Sequence, residues 1–218
     1  MRPEDVNPED VVRFLQENPA FFDEHAELLS QIHVQHPHGS HAIPLSDRQV
    51  LSLREKNRAL ESKLSELVRF GEENDAVSEK VHRLSVVMLS AAGLPTLLSS
   101  IYYNLREDFA VPHAALRVWL GAADQPEFSP VSDAVQAFAA ELDHPYCGPN
   151  TGFEAVAWLG EAAPHVRSIA FMPLRDKSET FGLLMLASED PQRFYPEMGT
   201  VYLARIGDLV SAALMRFI

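Results

Sequence analysis

The chain has 218 residues, 46% of them hydrophobic, which is enough for the core of one α/β domain with an accessory element beside it. Its 31 acidic side chains against 18 lysines and arginines give a formal net charge of −13, which repels nucleic acid and anionic membrane over most of the surface and excludes a general DNA- or RNA-binding role. A single cysteine, Cys147, cannot close an internal disulfide, no run approaches the roughly 18 consecutive apolar residues of a membrane span, and no charged leader precedes the first helix, so a cytoplasmic protein is expected.

Asn7-Pro8-Glu9-Asp10 supplies a capping side chain, a proline for the first helical position and acids for the first turn, and it predicts a short helix carrying Val11, Val12, Phe14 and Leu15. Asn18-Pro19 repeats the device and predicts a second helix whose apolar stripe runs through Phe21, Phe22, His25, Leu28, Leu29 and Ile32. His33 to Pro44, with Pro37, Gly39 and Pro44, has no usable periodicity and reads as a loop. Ser46 with Gln49 is a capping-box pattern, and from there heptad spacing runs through Leu53, Asn57, Leu60, Leu64, Leu67, Gly71 and Asn74. Residues 45 to 93 hold eight basic and eight acidic side chains, as an ion-paired helix surface does, whereas residues 1 to 44 hold two and eight. Leucines at the inner heptad positions amid this charge predict a homodimeric coiled coil, with Asn57 setting its register. After Asn74 the stripe resumes early at Val77, Val81, Leu84 and Met88, a three-residue step that predicts a locally overwound or broken helix where the arm hands over to the next domain.

From Leu94 the texture becomes alternating helices and short apolar runs. Helices are expected from Pro95 to about Phe109, from Ser132 to Leu142 and from Met198 to Ile218, with strands at His113 to Leu120, Ser168 to Leu174 and Thr180 to Ser188. The last two strands flank the polar turn Arg175 to Glu179 and should be antiparallel neighbours. The expected architecture is α+β, with helices on one face of the sheet and loops on the other.

This order of elements resembles the GAF fold, a relative of PAS sensors. Asn18-Pro19-Ala20-Phe21-Phe22, Ser46-Asp47-Arg48-Gln49 leading into Leu53-Arg54, Glu73-Asn74-Asp75, Tyr146-Cys147-Gly148 and Phe181-Gly182-Leu183-Leu184 are similar to the bacterial family named domain of unknown function 484, or DUF484, over nearly the whole chain. The residues predict an N-terminal helical hairpin and loop (1–44) and a long coiled-coil dimerisation helix (45–93), and the resemblance implies that 94–218 is a GAF-like antiparallel sheet flanked by helices. It brings no activity, ligand or catalytic residue with it.

Three groups of side chains are candidate sites. Cys147 lies three residues after His144, a spacing that raises the question of a thiolate pair, but prolines on both sides fix the loop and no orienting acid or oxyanion motif accompanies it, so a catalytic role is not expected. His33, His36, His38 and His41 crowd one loop without a cysteine or carboxylate to complete a metal site, so a solvated loop is expected. In Ala115 to Leu120, alternation sends Leu116, Val118 and Leu120 to one face and Arg117 and Trp119 to the other, where GAF domains hold their ligands. Ser168, Ala170 and Met172 on a neighbouring strand, with Tyr146, Cys147, Phe153 and Trp158 from the loops, are expected to complete a pocket for a small planar or anionic metabolite.

The function expected from these features is a non-catalytic regulatory or sensory protein that binds a small ligand in its GAF-like domain and dimerises through a coiled coil. The alternative is a structural adaptor without a ligand that binds a protein partner. An enzyme is not expected, because the sequence offers no phosphate-binding glycine loop, paired carboxylates or metal motif. No cofactor is indicated.

Overall fold

The computed structural model describes residues 7–35 and 42–218, the side chains of 29–31, 33–35 and 42–47 excepted. The chain divides at Gly71 into two compact units.

In the first unit α1 (Pro8–Glu17) starts as its sequence requires: the Asn7 side chain accepts a hydrogen bond from the Glu9 amide at 3.1 Å, and Pro8 occupies the first turn. The stretch after Pro19 forms two short helices where one is expected, α2 (Phe21–Glu24) and α3 (Ala26–Gln31), because His25 leaves helical geometry between them. Phe21 packs edge-on against Phe14, with ring centroids 6.0 Å apart, and so ties α2 back to α1. The expected loop at 33–44 is bounded by two strands, β1 (His33–Gln35) and β2 (Ala42–Pro44), paired antiparallel with Val34 opposite Ile43. The rest of the histidine-rich loop, with His36, His38 and His41, lies outside the described residues, as do the side chains of His33 and Ser46.

Helix α4 (Leu45–Ser90) belongs to both units. It runs unbroken through Asn74, so of the overwound or broken helix expected there the break is absent. Leu53, Leu60, Leu64 and Leu67 are between 62% and 66% exposed, whereas Val81, Leu84 and Met88 are buried in the core of the second unit. The two stripes thus differ in burial as well as in phase. At the step itself the Tyr202 hydroxyl donates to the Asn74 carbonyl at 2.9 Å. The last part of the expected coiled-coil segment, 45–93, is therefore built into the α+β unit.

The second unit continues with α5 (Leu94–Glu107), β3 (His113–Val118), α6 (Asp133–Glu141), β4 (Tyr146–Pro149), β5 (Ser168–Asp176), β6 (Glu179–Ser188) and α7 (Val201–Leu214), with 3₁₀ segments at Pro126–Phe128 and Glu154–His165. The four strands form one antiparallel sheet in the order β3-β6-β5-β4. The fold is α+β, as expected. β5 and β6 meet in a tight turn in which Lys177 takes a left-handed conformation, φ 56°. Gly182 lets β3 and β6 approach: a Cβ there would stand 2.8 Å from the Arg117 carbonyl oxygen.

Both faces of the sheet are covered, and alternation divides β6 between them. Leu184 and Leu186 face α5, α7 and the end of α4, together with Leu116, Val118, Ala170, Met172 and Leu174. Leu183, Met185 and Ala187 face the other way, with Ala115, Ile169 and Phe171, and meet Val135 and Ala139 of α6 and Ala155 and Val156 of the second 3₁₀ segment. The loop face thus carries a helix, α6, that the sequence pattern places on the opposite side. β3 ends at Val118, and Leu120, expected in the helix-side core, is exposed. Arg216, near the end of the chain, donates to the carbonyls of Met88 and Leu89 at 3.2 and 3.4 Å and supplies the cation that the last turn of α4 lacks. No helix among the described residues is long and apolar enough to cross a membrane.

Candidate functional site

The loop face holds an aromatic cluster centred on Phe171, which is fully buried. Its ring centroid lies 5.2 Å from that of Phe153, 5.3 Å from Phe138 and 6.1 Å from Tyr146. Tyr146 reaches the cluster because β4 pairs it directly with Phe171. Between α6 and the start of the second 3₁₀ segment the rings leave a cavity of about 200 Å³, lined by Val135, Phe138, Phe153, Glu154 and Phe171. Glu154 is the one charged lining residue, and its carboxylate accepts from the Ser132 hydroxyl at 2.8 Å. The same hydroxyl caps α6 by accepting from the Val135 amide at 3.3 Å, so one serine fixes both the helix start and the carboxylate at the cavity's rim.

Arg117 lies on this side of the sheet but outside the cavity. It donates to the Leu116 carbonyl at 2.9 Å, and its guanidinium carbon sits 5.2 Å above the Trp158 ring. Trp119 packs on the same face and donates its indole N–H to the Thr180 carbonyl at 2.9 Å. At the free edge of β3, Glu127 is buried to 9% exposure beside Tyr102. Burial first, and then the charge and hydrogen bond of Glu127, push the Tyr102 phenol far above its ordinary range, with a hydrogen bond to the Leu116 backbone and the charge of Arg117 opposing them.

The eight residues singled out from the sequence therefore do not form one pocket. Arg117, Trp119, Tyr146, Phe153 and Trp158 share the loop face, and only Phe153 lines the cavity. Cys147, Ser168 and Met172 point to the helix side. The register explains why: Met172 pairs with Leu184, which pairs with Leu116, and directly opposed residues share a face. Met172 packs against Gly207 of α7, and the Ser168 hydroxyl donates to the Asp190 carbonyl at 2.6 Å and accepts from the Phe194 amide at 3.4 Å. Phe138, Phe171 and Glu154 were not among the expected site residues. Phe171 had a legible signal, since it alternates with Ala170 and Met172.

Cys147 is buried in the helix-side core, and burial pushes its thiol up to about 11 from an ordinary 9.0. A shift of that size lowers the thiolate fraction near neutral pH by about 100-fold. Alkylation at pH 7.5 should accordingly run at least about 100-fold slower than for a cysteine in an unfolded peptide and accelerate as pH rises toward 11. Labelling as fast as the peptide would show an activated thiol.

The chain is 25% identical over 220 aligned residues to the uncharacterized protein YigA of Salmonella typhimurium LT2, an alignment covering 95% of this chain and 91% of that protein. Two solved GAF domains are similar in structure. That of A. aeolicus nlh2, in an inactive state, has a TM-score of 0.48 at 12% identity and covers 66% of this chain and 98% of its own. That of the Acinetobacter phosphoenolpyruvate-protein phosphotransferase has a TM-score of 0.49 at 15% identity and covers 63% and 92%. The family model described as protein of unknown function, DUF484, matches residues 1–218, and the chain belongs to that family.

Proposed function

We propose that this protein is a non-catalytic regulatory homodimer, held together by the first half of α4, whose α+β unit binds a small ligand between α6 and the sheet. The observation that carries the reading is the leucine stripe of Leu53, Leu60, Leu64 and Leu67: four large apolar side chains on one helix face, each more than three-fifths exposed in the single chain. Exposed heptad leucines flanked by Arg54, Lys56, Arg58, Glu61 and Lys63 fit a second copy of the same helix. Continuity of α4 into the core at Val81, Leu84 and Met88, and the hold of Arg216 on its last carbonyls, supports coupling between ligand binding and the arm.

The ligand must be small. A cavity of about 200 Å³ lies below the roughly 300 to 1,000 Å³ of ordinary ligand pockets, and its aromatic walls with one carboxylate favour a neutral or cationic ring compound over the anion expected from Arg117. Small ring compounds should raise the melting temperature, and nucleotides should not. At a hundredfold excess over the dissociation constant the gain is about 2.7 kcal/mol, or roughly 5 to 11 °C for a protein of this size. Phe138→Trp, which fills the cavity, should abolish the response, while Arg117→Ala should preserve it.

The adaptor reading also has an observation in its favour: packed apolar side chains cover the loop face outside the small cavity, and Arg117 is engaged with a neighbouring carbonyl and Trp158. Native mass spectrometry of the purified protein separates the two. A retained small molecule supports the sensor, and a bare dimer unresponsive to every ring compound supports the adaptor.

A further inference from the structure

The helix side of the sheet contains a second cavity of about 200 Å³ that the proposed ligand site does not use. Val77 of α4, Leu105 of α5, Leu186 of β6 and Leu203 and Ile206 of α7 line it, and the segment before α7 adds Phe194 and Arg193. Tyr202 also borders it, but its hydroxyl is committed to the Asn74 carbonyl. The lining is therefore almost wholly apolar, with Arg193 its one charged side chain.

Arg193 is exposed while Phe194 beside it is buried, so the cation stands where the apolar space meets solvent. It is held there: its Nη2 donates to the Phe109 carbonyl at 2.6 Å, and its guanidinium carbon lies 5.8 Å from the centre of the Phe194 ring. Among the described residues no carboxylate forms an ion pair with it. A guanidinium has five N–H donors, more than one carbonyl uses.

Protein interiors contain few voids larger than a water molecule, and an unfilled apolar void costs stability in proportion to its volume. Apolar cavities of about 150 Å³ stay dry and take up apolar guests. A sugar or nucleotide would lose its hydrogen bonds to water here without replacement, and an aliphatic amine would meet a like charge. We propose that this cavity is a ligand site for an unbranched aliphatic carboxylate, its chain among Leu186, Leu203 and Ile206 and its carboxylate on Arg193. The pairing is the charge-assisted kind that a guanidinium makes best.

Octanoate and 1-octanol, titrated into the full methyl-labelled chain, test this by NMR. Millimolar octanoate should shift the methyl signals of Val77, Leu186, Leu203 and Ile206 and give contacts between its chain protons and those methyls. Octanol should reach the same methyls more weakly. Arg193→Gln should lower the octanoate affinity at least about tenfold and leave that of octanol within about twofold. Leu203→Trp should block both. If neither compound perturbs these methyls in the wild-type protein, the site does not exist, whatever the folding of the filled variant. If Arg193→Gln weakens octanoate no more than octanol, the carboxylate assignment is overturned.

Discussion

Replacing Leu60 and Leu64 together with aspartate should leave the protein monomeric, with a dissociation constant at least about 10⁴-fold higher than that of the native chain. Each leucine is worth about 1.5 to 3 kcal/mol when fully removed from water, and a two-fold dimer loses four of them in this double variant. Even the lower value gives about 6 kcal/mol, or four decades of affinity, before any repulsion among the new carboxylates. The substitution touches only side chains that are more than three-fifths exposed in the single chain, so the melting of the 72–218 unit should not change. Sedimentation equilibrium measures the first quantity and calorimetry the second. A dimer of unchanged affinity would remove the coiled coil from the account.

Phe171→Ala should destabilise the α+β unit by about 3 to 5 kcal/mol and lower its melting temperature by roughly 6 to 20 °C. The ring is fully buried, contacts Phe138, Phe153 and Tyr146, and already borders a cavity of about 200 Å³. Its loss enlarges that void where β5 and α6 hold the surroundings in place, so little collapse can compensate. Tyr103→Ala is the control, since Tyr103 is exposed and should cost no more than about 0.5 kcal/mol. Urea denaturation of both variants gives the comparison. A loss below about 1 kcal/mol for Phe171→Ala would mean that the aromatic cluster does not organise the loop face.

Periodicity in the sequence located α5, β3, α6, β5, β6 and α7, because each carries enough alternating or helically spaced apolar residues to declare its period. β4 escaped it: Tyr146 to Pro149 is four residues long, with Pro145 before it and Pro149 at its end, and shows no repeat. β1 and β2 are three residues each. The second 3₁₀ segment contains Pro164 and a left-handed Gly160, which erase helical spacing. The face of β3 that carries Arg117 and Trp119 was legible, and the face of β5 was not. A two-residue period separates odd from even positions but does not say which set meets the helices, and only the pairing of Met172 with Leu184 and of Leu184 with Leu116 decides it. Ser168 and Met172 thus fell on the wrong side of the expected pocket. The phase step at Asn74 was visible in the sequence, but the change across it from an exposed stripe to a buried one was not, because that is a property of tertiary packing.

A second copy covering the leucine stripe doubles the particle, and the molar mass in solution reads that directly. Light scattering on the eluting native protein at micromolar concentration should give twice the 24.3 kDa mass of the chain, independent of dilution across the micromolar range. A mass of one chain at the same concentrations would contradict it.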